Sequence, residues 1–419
     1  MLQLDKSNED ALSRHASSEA QLTAIKSDTV ALTGMVSSNH TQLSGGLRAL
    51  GKDIKSHIDM SMEAKVTGSP EQRLTHSLYY PEHALRKDMV RPPWENTFTW
   101  IYGNASDSQY ESNTFSEWLR GGSGIYWVSG KAGSGKSTLM AHILHDSHTH
   151  ESLEAWCCGR PMFLLSYFFW RAGTSVQNSI TGLLRSIAYQ ICSSVPWVRS
   201  SLMEKLMLTP EDLPTWNEGN LSILVATAMR LAGEARFCLL IDGLDEFEGD
   251  HDELVNFLFR LQGAPNAKCC VSSRPEVRLS DRLSSCENLR LEDLNLLDIR
   301  TYVSERLSQY VPPYSNIPWA VASAASGVFL WAAVVTGRIV QSYQSGEPHE
   351  FAIRHIESTP KEMTELFANM LHGLRDTDQS DLAKILLAIR SYHDGINISV
   401  ALLAASSADY SLSTPREFV

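Results

Sequence analysis

The sequence contains no Cys-x-x-Cys pair, no run of lysine and arginine, no repeat period and no uninterrupted membrane-length apolar segment. Each absence removes a class of function. The seven cysteines are odd in number and include two adjacent pairs, Cys157-Cys158 and Cys269-Cys270, so reduced thiols are expected rather than a disulfide framework. The opening "MLQLDKSNED" does not read as a secretory signal, and a cytoplasmic chain is expected. With 36 basic against 48 acidic side chains the formal charge is −12. That disfavours non-specific nucleic-acid binding, which needs a basic footprint, and leaves room only for a local patch. Residues 311–337 carry no charge and include "GVFLWAAVV", yet Pro312, Pro313, Pro318 and the central Gly327 interrupt them. Two buried helices meeting at Gly327 are expected there, not a span of about 20 residues.

What is present is an ordinary globular mixture, 43% apolar and 20% charged, in 419 residues, which suggests two or three domains. Residues 1–75 are polar, with Leu22, Ile25, Leu32, Val36, Leu43, Leu47, Leu50 and Ile54 at helical spacings. They read as a helical linker or a short coiled coil, interrupted at Gly45-Gly46. "VRPPWENT" (90–97) reads as a boundary. From 98 to 295 short apolar runs alternate with helical stretches: "GIYWVSG" (124–130), "MFLLSYFFW" (162–170), "RFCLLIDG" (236–243), "AKCCVSS" (267–273) and "NLRLEDL" (288–294). Such runs fit strands buried on both faces, so the fold class is α/β: a parallel sheet with helices on both faces. Beyond 295 only helices are expected. The divisions are 1–90, 91–295, 296–378 and 379–419, the last reading as the start of a further helical unit.

"GKAGSGKST" (130–138) matches G-x-x-x-x-G-K-[ST] through Gly130, Gly135, Lys136 and Ser137. It lies between a strand candidate and a helix candidate, the context this motif needs. Glycines let backbone N–H groups crowd around phosphate oxygens, and the following helix aims its positive end at the same place. The candidate nucleotide contacts are Gly130, Lys131, Ala132, Gly133, Ser134, Gly135, Lys136, Ser137 and Thr138. Lys136 suits the β- and γ-phosphates, and Ser137 Oγ suits Mg²⁺. A plain glycine turn explains the glycines but not the Lys-Ser pair.

A second metal-holding acid belongs at the end of a neighbouring strand, and "FCLLIDGLDEFEG" supplies Asp242. Many ATPases place a catalytic glutamate directly after this residue; here the position is Gly243. Asp245 and Glu246 follow, and either suits orienting a water; an acidic surface turn is the alternative. Arg274, at the exit of "CCVSSRPE", suits contact with a γ-phosphate. The extra strand "MFLLSYFFW" separates the strands of the glycine loop and Asp242 in sequence, so the Arg274 strand can lie between them in the sheet.

Together these pieces resemble the NACHT domain of STAND P-loop NTPases, and most closely the fungal set with nephrocystin-3-like N-terminal domains. The resemblance runs in order through "WVSGKAGSGKSTLM", "YFFWRAGTSVQNS", "LLRSIAYQI", "LLIDGLDEFEGD", "KCCVSSRPE", "LEDLNLLDIRTYV" and "SGVFLWAAVV", covering 95–375. D-G-L-D-E is its most specific feature. It implies a nucleotide switch using ATP or GTP with Mg²⁺, slow turnover and a helical lid over 295–375. In fungi such proteins resemble innate-immune and heterokaryon-incompatibility receptors. No repeat array of the kind that senses ligands in the family follows, and a winged-helix region is at most begun near 380–410.

Three features are set aside. "LSGGL" (43–47) precedes the glycine loop and lacks the glutamine of a transporter signature. His142, His145, His148 and His150 lack a completing ligand set. Trp127, Trp170 and Trp331 read as core. The function expected is therefore a nucleotide switch with self-association or protein partners through the N-terminal helices. The rivals are a non-catalytic scaffold and a metabolic P-loop kinase.

Overall fold

The computed structural model describes residues 68–103, 114–209, 213–262 and 266–372. The helical spacing over 22–54, "LSGGL" and the unit expected after 379 lie outside the described residues.

Among the described residues five strands form one parallel sheet: β1 (Gly124–Ser129), β2 (Met162–Phe168), β3 (Arg236–Asp242), β4 (Ala267–Ser273) and β5 (Glu287–Arg290). Their order is β2-β3-β4-β1-β5, so β4 lies between the strands that lead to the glycine loop and to Asp242. Side chains alternate between two buried faces, as the pleat requires. Trp127, Tyr167, Leu239, Ile241 and Val271 join one core; Tyr126, Val128, Leu240 and Cys270 join the other. The first face is covered by helices that include α1 (Pro70–Leu78), Ile180–Ser194, Glu218–Leu231 and His251–Gln262. The second is covered by α2 (Thr114–Gly121), α3 (Lys136–His145) and α4 (Ser147–Cys157).

Two sequence expectations are corrected here. The strand expected through 294 stops at Arg290, and Leu291–Leu294 is a helical turn. β5 pairs only with β1, and its burial is confined to Leu289, so nothing holds the chain extended once that pairing ends. Trp127 and Trp331 are buried, but Trp170 is only half-buried and faces a cavity just past the end of β2.

Lys268 sits inside the fully buried β4. Its Nζ donates to the carbonyls of Trp118 (2.9 Å) and Leu119 (2.7 Å) and lies 4.0 Å from the Trp156 ring centroid. It thus neutralises the negative C-terminal end of α2.

After the sheet come α5 (Leu296–Leu307), α6 (Ile317–Ala325), α7 (Phe329–Gln344) and α8 (Glu350–Ser358), which share a third core around Val321, Trp331 and Val335. The uncharged stretch forms α6 and α7, which meet at Gly327 with φ +80°. No helix among the described residues is long and apolar enough to cross a membrane.

Candidate functional site

All β-strands run parallel, so the loops after β1, β2, β3 and β4 gather at one edge. Ligands in such sheets bind at the carboxyl edge. The loop after β1 turns through Gly133 (φ +72°) and Gly135 (φ +102°), and α3 begins at Lys136. Lys136 Nζ donates to the Gly130 carbonyl at 2.7 Å and the Lys131 carbonyl at 3.0 Å. Burial lowers its pKa, while Asp245 and Asp242 act to raise it and Arg274 to lower it further. These four charged groups therefore lie within electrostatic reach of one another.

Asp242 ends β3 and is buried. Burial raises its pKa; the Ser272 hydroxyl, which donates to Asp242 Oδ1, and the nearby Ser137 hydroxyl oppose that rise. The Ser272 hydroxyl also accepts the N–H of Gly243 at 3.0 Å, linking the ends of β3 and β4. Ser137 and Asp242 thus meet as a hydroxyl and a carboxylate, the hard oxygen donors that suit Mg²⁺. The positive-φ glycines and helix start beside them suit an anion.

Asp245 is buried, and its carboxylate is taken up by Arg274. Oδ1 accepts the Arg274 backbone N–H at 2.9 Å, and Oδ2 lies 3.1 Å from its Nε. Glu246 is half-buried, and its Oε2 accepts the N–H of Arg171 at 3.1 Å. An Arg171 guanidinium N–H donates to the Asp245 carbonyl. Arg86, Trp170, Arg171, Ala172, Glu246 and Arg274 bound a cavity of about 490 Å³. Motif reading did not single out Arg86 and Arg171. The exit of β2 resembles that of β4, an apolar run ending in arginine, and could have drawn attention to Arg171; no local signal marks Arg86.

The helical cluster touches the glycine loop directly. Leu330 N–H donates to the Gly133 carbonyl at 3.0 Å, and Lys131 Nζ to the Ser326 carbonyl at 3.1 Å. Asn295 Nδ2 donates to the carbonyls of Ser134 (3.1 Å) and Gly327 (2.8 Å). Among the candidate histidines, His142 and His148 both face Asp146, at 3.6 and 2.9 Å. Asp146 caps α4.

Residues 95–274 match the family model described as nephrocystin 3, N-terminal. The chain is also similar to the vegetative incompatibility protein HET-E-1 of Podospora anserina, 25% identical over 316 residues. That alignment covers 70% of this chain but only 22% of the relative, so the chain spans under a quarter of that protein's length. The stretch 95–274 that matches this family model holds the glycine loop, Asp242, the D-G-L-D-E acids and Arg274, and the α/β domain built on it is similar to the nephrocystin 3 N-terminal family.

Proposed function

We propose that this protein binds ATP or GTP with Mg²⁺ and hydrolyses it slowly, as a STAND-type signalling switch. The observation that carries the reading is the meeting of Ser137, at the start of α3, with Asp242, at the end of β3, beside Lys136 and the turn through Gly133 and Gly135. Residues 130–138 surround the phosphates with backbone N–H groups, and Lys136 leaves its loop carbonyls for the β- and γ-phosphate oxygens. Mg²⁺ held by Ser137 and Asp242 supplies charge neutralisation at those oxygens. Glu246 accepts a hydrogen bond from a water whose oxygen bonds to the γ-phosphorus as the β–γ bridge breaks. The products are the nucleoside diphosphate and inorganic phosphate, and the proton lost by the water passes by way of Glu246 to solvent. Asp245 positions Arg274, and Arg274 contacts the γ-phosphate.

Residues 296–378 serve as the lid in this reading, supported by the contact of Leu330 with Gly133 and by Asn295, which bonds both Ser134 of the loop and Gly327 of the helical cluster. Residues 1–90 and 379–419 flank the switch, and self-association or partner binding is assigned to the N-terminal segment. The name of the similar protein supports vegetative incompatibility as the process; a cytoplasmic site of action belongs to the same proposal.

The test is Mg²⁺-dependent binding of ATP and GTP to the purified chain, with phosphate release followed in the same samples. Wild type is expected to bind and release phosphate, and Lys136→Ala to bind neither nucleotide. Glu246→Gln is expected to bind without release. Binding without release by wild type favours a non-catalytic scaffold, and no binding by folded wild type removes the switch reading.

A further inference from the structure

We propose that the cavity past the ends of β2, β3 and β4 receives the terminal phosphoryl group of the bound nucleotide, with Arg86 as the contact that distinguishes triphosphate from diphosphate. The proposal rests on the nucleotide-binding reading above and adds to it a residue that lies outside the matched domain, at 95–274.

The cavity is lined by three arginines, Arg86, Arg171 and Arg274, against a single acid, Glu246. With Asp245 paired to Arg274, the three arginines face two acids and one positive charge is left over, which favours an anion. Guanidinium groups present flat forks of donors that match phosphate oxygens. Two of the three are already engaged: Arg274 Nε faces Asp245 Oδ2, and Arg171 donates to the Asp245 carbonyl. Arg86 differs. Its Nε is buried and has no hydrogen-bond partner among the described residues. An unpartnered buried donor costs free energy unless a ligand satisfies it.

The segment just before the helical turn that carries Arg86 (Leu85–Met89) is held firmly. Arg185 donates to the carbonyls of Ser77, Leu78 and Tyr79 at 3.0–3.1 Å, and the Tyr80 hydroxyl to that of Gly182 at 3.2 Å. Gln177 Nε2 donates to the Glu82 carbonyl at 3.2 Å. Leu74 and Leu78 belong to the core beneath the sheet. The turn that carries Arg86 thus follows directly on an anchored segment. Glu246, in the cavity wall, donates its N–H to the carbonyl of Gly243, next to Asp242, at 2.8 Å, and Gly130 of the glycine loop donates to the carbonyl of Ser273, next to Arg274, at 3.2 Å. The cavity thus adjoins the phosphate end of the site. A terminal phosphoryl group there would tie the segment before the domain to the exits of β2 and β4. Its loss would release that tie.

The experiment measures dissociation constants of the Mg²⁺ complexes of ATP, GTP, ADP and GDP for the full chain. Wild type, Arg86→Gln, Arg86→Lys and Lys136→Ala are compared, with thermal unfolding of each. Arg86→Gln is expected to weaken triphosphate binding roughly tenfold to a hundredfold, the range of a charged hydrogen bond, with diphosphate affinity unchanged. Arg86→Lys is expected to fall between, and it serves alone if the glutamine variant does not fold. Equal triphosphate affinity in folded Arg86 variants and wild type, with Lys136→Ala losing both, overturns the role of Arg86 and leaves the nucleotide site standing. If folded wild type binds no nucleotide, both fall. Inorganic phosphate is titrated as well: Arg86-dependent binding of free phosphate without triphosphate preference also overturns the assignment.

Discussion

Asp245 commits both carboxylate oxygens to Arg274, accepting its backbone N–H at 2.9 Å and facing its Nε at 3.1 Å. Glu246, one residue on, keeps a half-buried carboxylate at the cavity wall. The two acids should therefore separate in experiment. Asp245→Ala is expected to cost about 1–3 kcal/mol of stability, since the lost bond is charge-assisted and its partner half-exposed. Glu246→Gln is expected to stay within about 1 kcal/mol of wild type yet lose phosphate release. Urea unfolding beside a turnover assay reads both, and equal destabilisation by the two variants would overturn the split.

Asp298, on α5, accepts hydrogen bonds from Trp100 Nε1 at 2.8 Å and from the N–H of Phe98 at 3.2 Å. Burial pushes its pKa up to about 6 from 3.8. The folded state holds the proton more tightly, so the associated stability is full below 3.8 and is lost as pH rises through about 6. Asp298→Asn keeps an acceptor without the charge. It is expected to match or exceed wild-type stability at pH 7, by at most about 3 kcal/mol, and to lose that gain near pH 4. Urea unfolding of both proteins across that range checks it; a pH-independent difference would count against the assignment.

Lys268 is held protonated against burial, which brings its pKa down to about 8 from 10.5. The unfolded chain binds the extra proton between those values, so stability rises with pH across that window and its cost is complete below it. Buried thiols, including Cys238 with a pKa near 12, act oppositely above about pH 9 but are common to both proteins in a comparison. Wild type minus Lys268→Met should gain about 1 kcal/mol per pH unit from pH 8 to 10. A flat difference would show that Lys268 keeps an ordinary pKa.

Gly327 tests the joint between α6, α7 and the glycine loop. Its φ is +80°, and an added Cβ would lie 2.4 Å from the Glu292 carbonyl oxygen. Gly327→Ala is expected to cost about 2–4 kcal/mol through strain and displacement, confined to the helical cluster. Hydrogen exchange should then quicken at the Leu330 amide, which donates to the Gly133 carbonyl, while β3 and β4 keep their protection. Unchanged exchange at Leu330 would show that the joint does not hold the contact with the glycine loop.

Where local chemistry decides, the sequence could be read. The unalternating runs "FCLLIDG" and "AKCCVSS" require two covered faces and give β3 and β4, and the loop at 130–138 carries its own reason for glycine and lysine. "NLRLEDL" was less legible, because an edge strand has one partner and its end depends on how far that partner reaches. Trp170 read as core from its apolar neighbours, whereas its place past the end of β2 leaves it facing a cavity.

The sequence by itself determined the α/β class, the glycine loop, Asp242 and the acids after it, and the break at Gly327, because each follows from backbone sterics or from periodicity within one short segment. Only the tertiary structure decided that Asp245 is bound to Arg274 while Glu246 stays at the cavity wall, that Arg86 reaches that cavity, and that Lys268 lies against the carbonyls of α2. Those outcomes join residues far apart in the chain. Pairings of charges and donors across such separations depend on which surfaces the core brings together, and no local pattern encodes them.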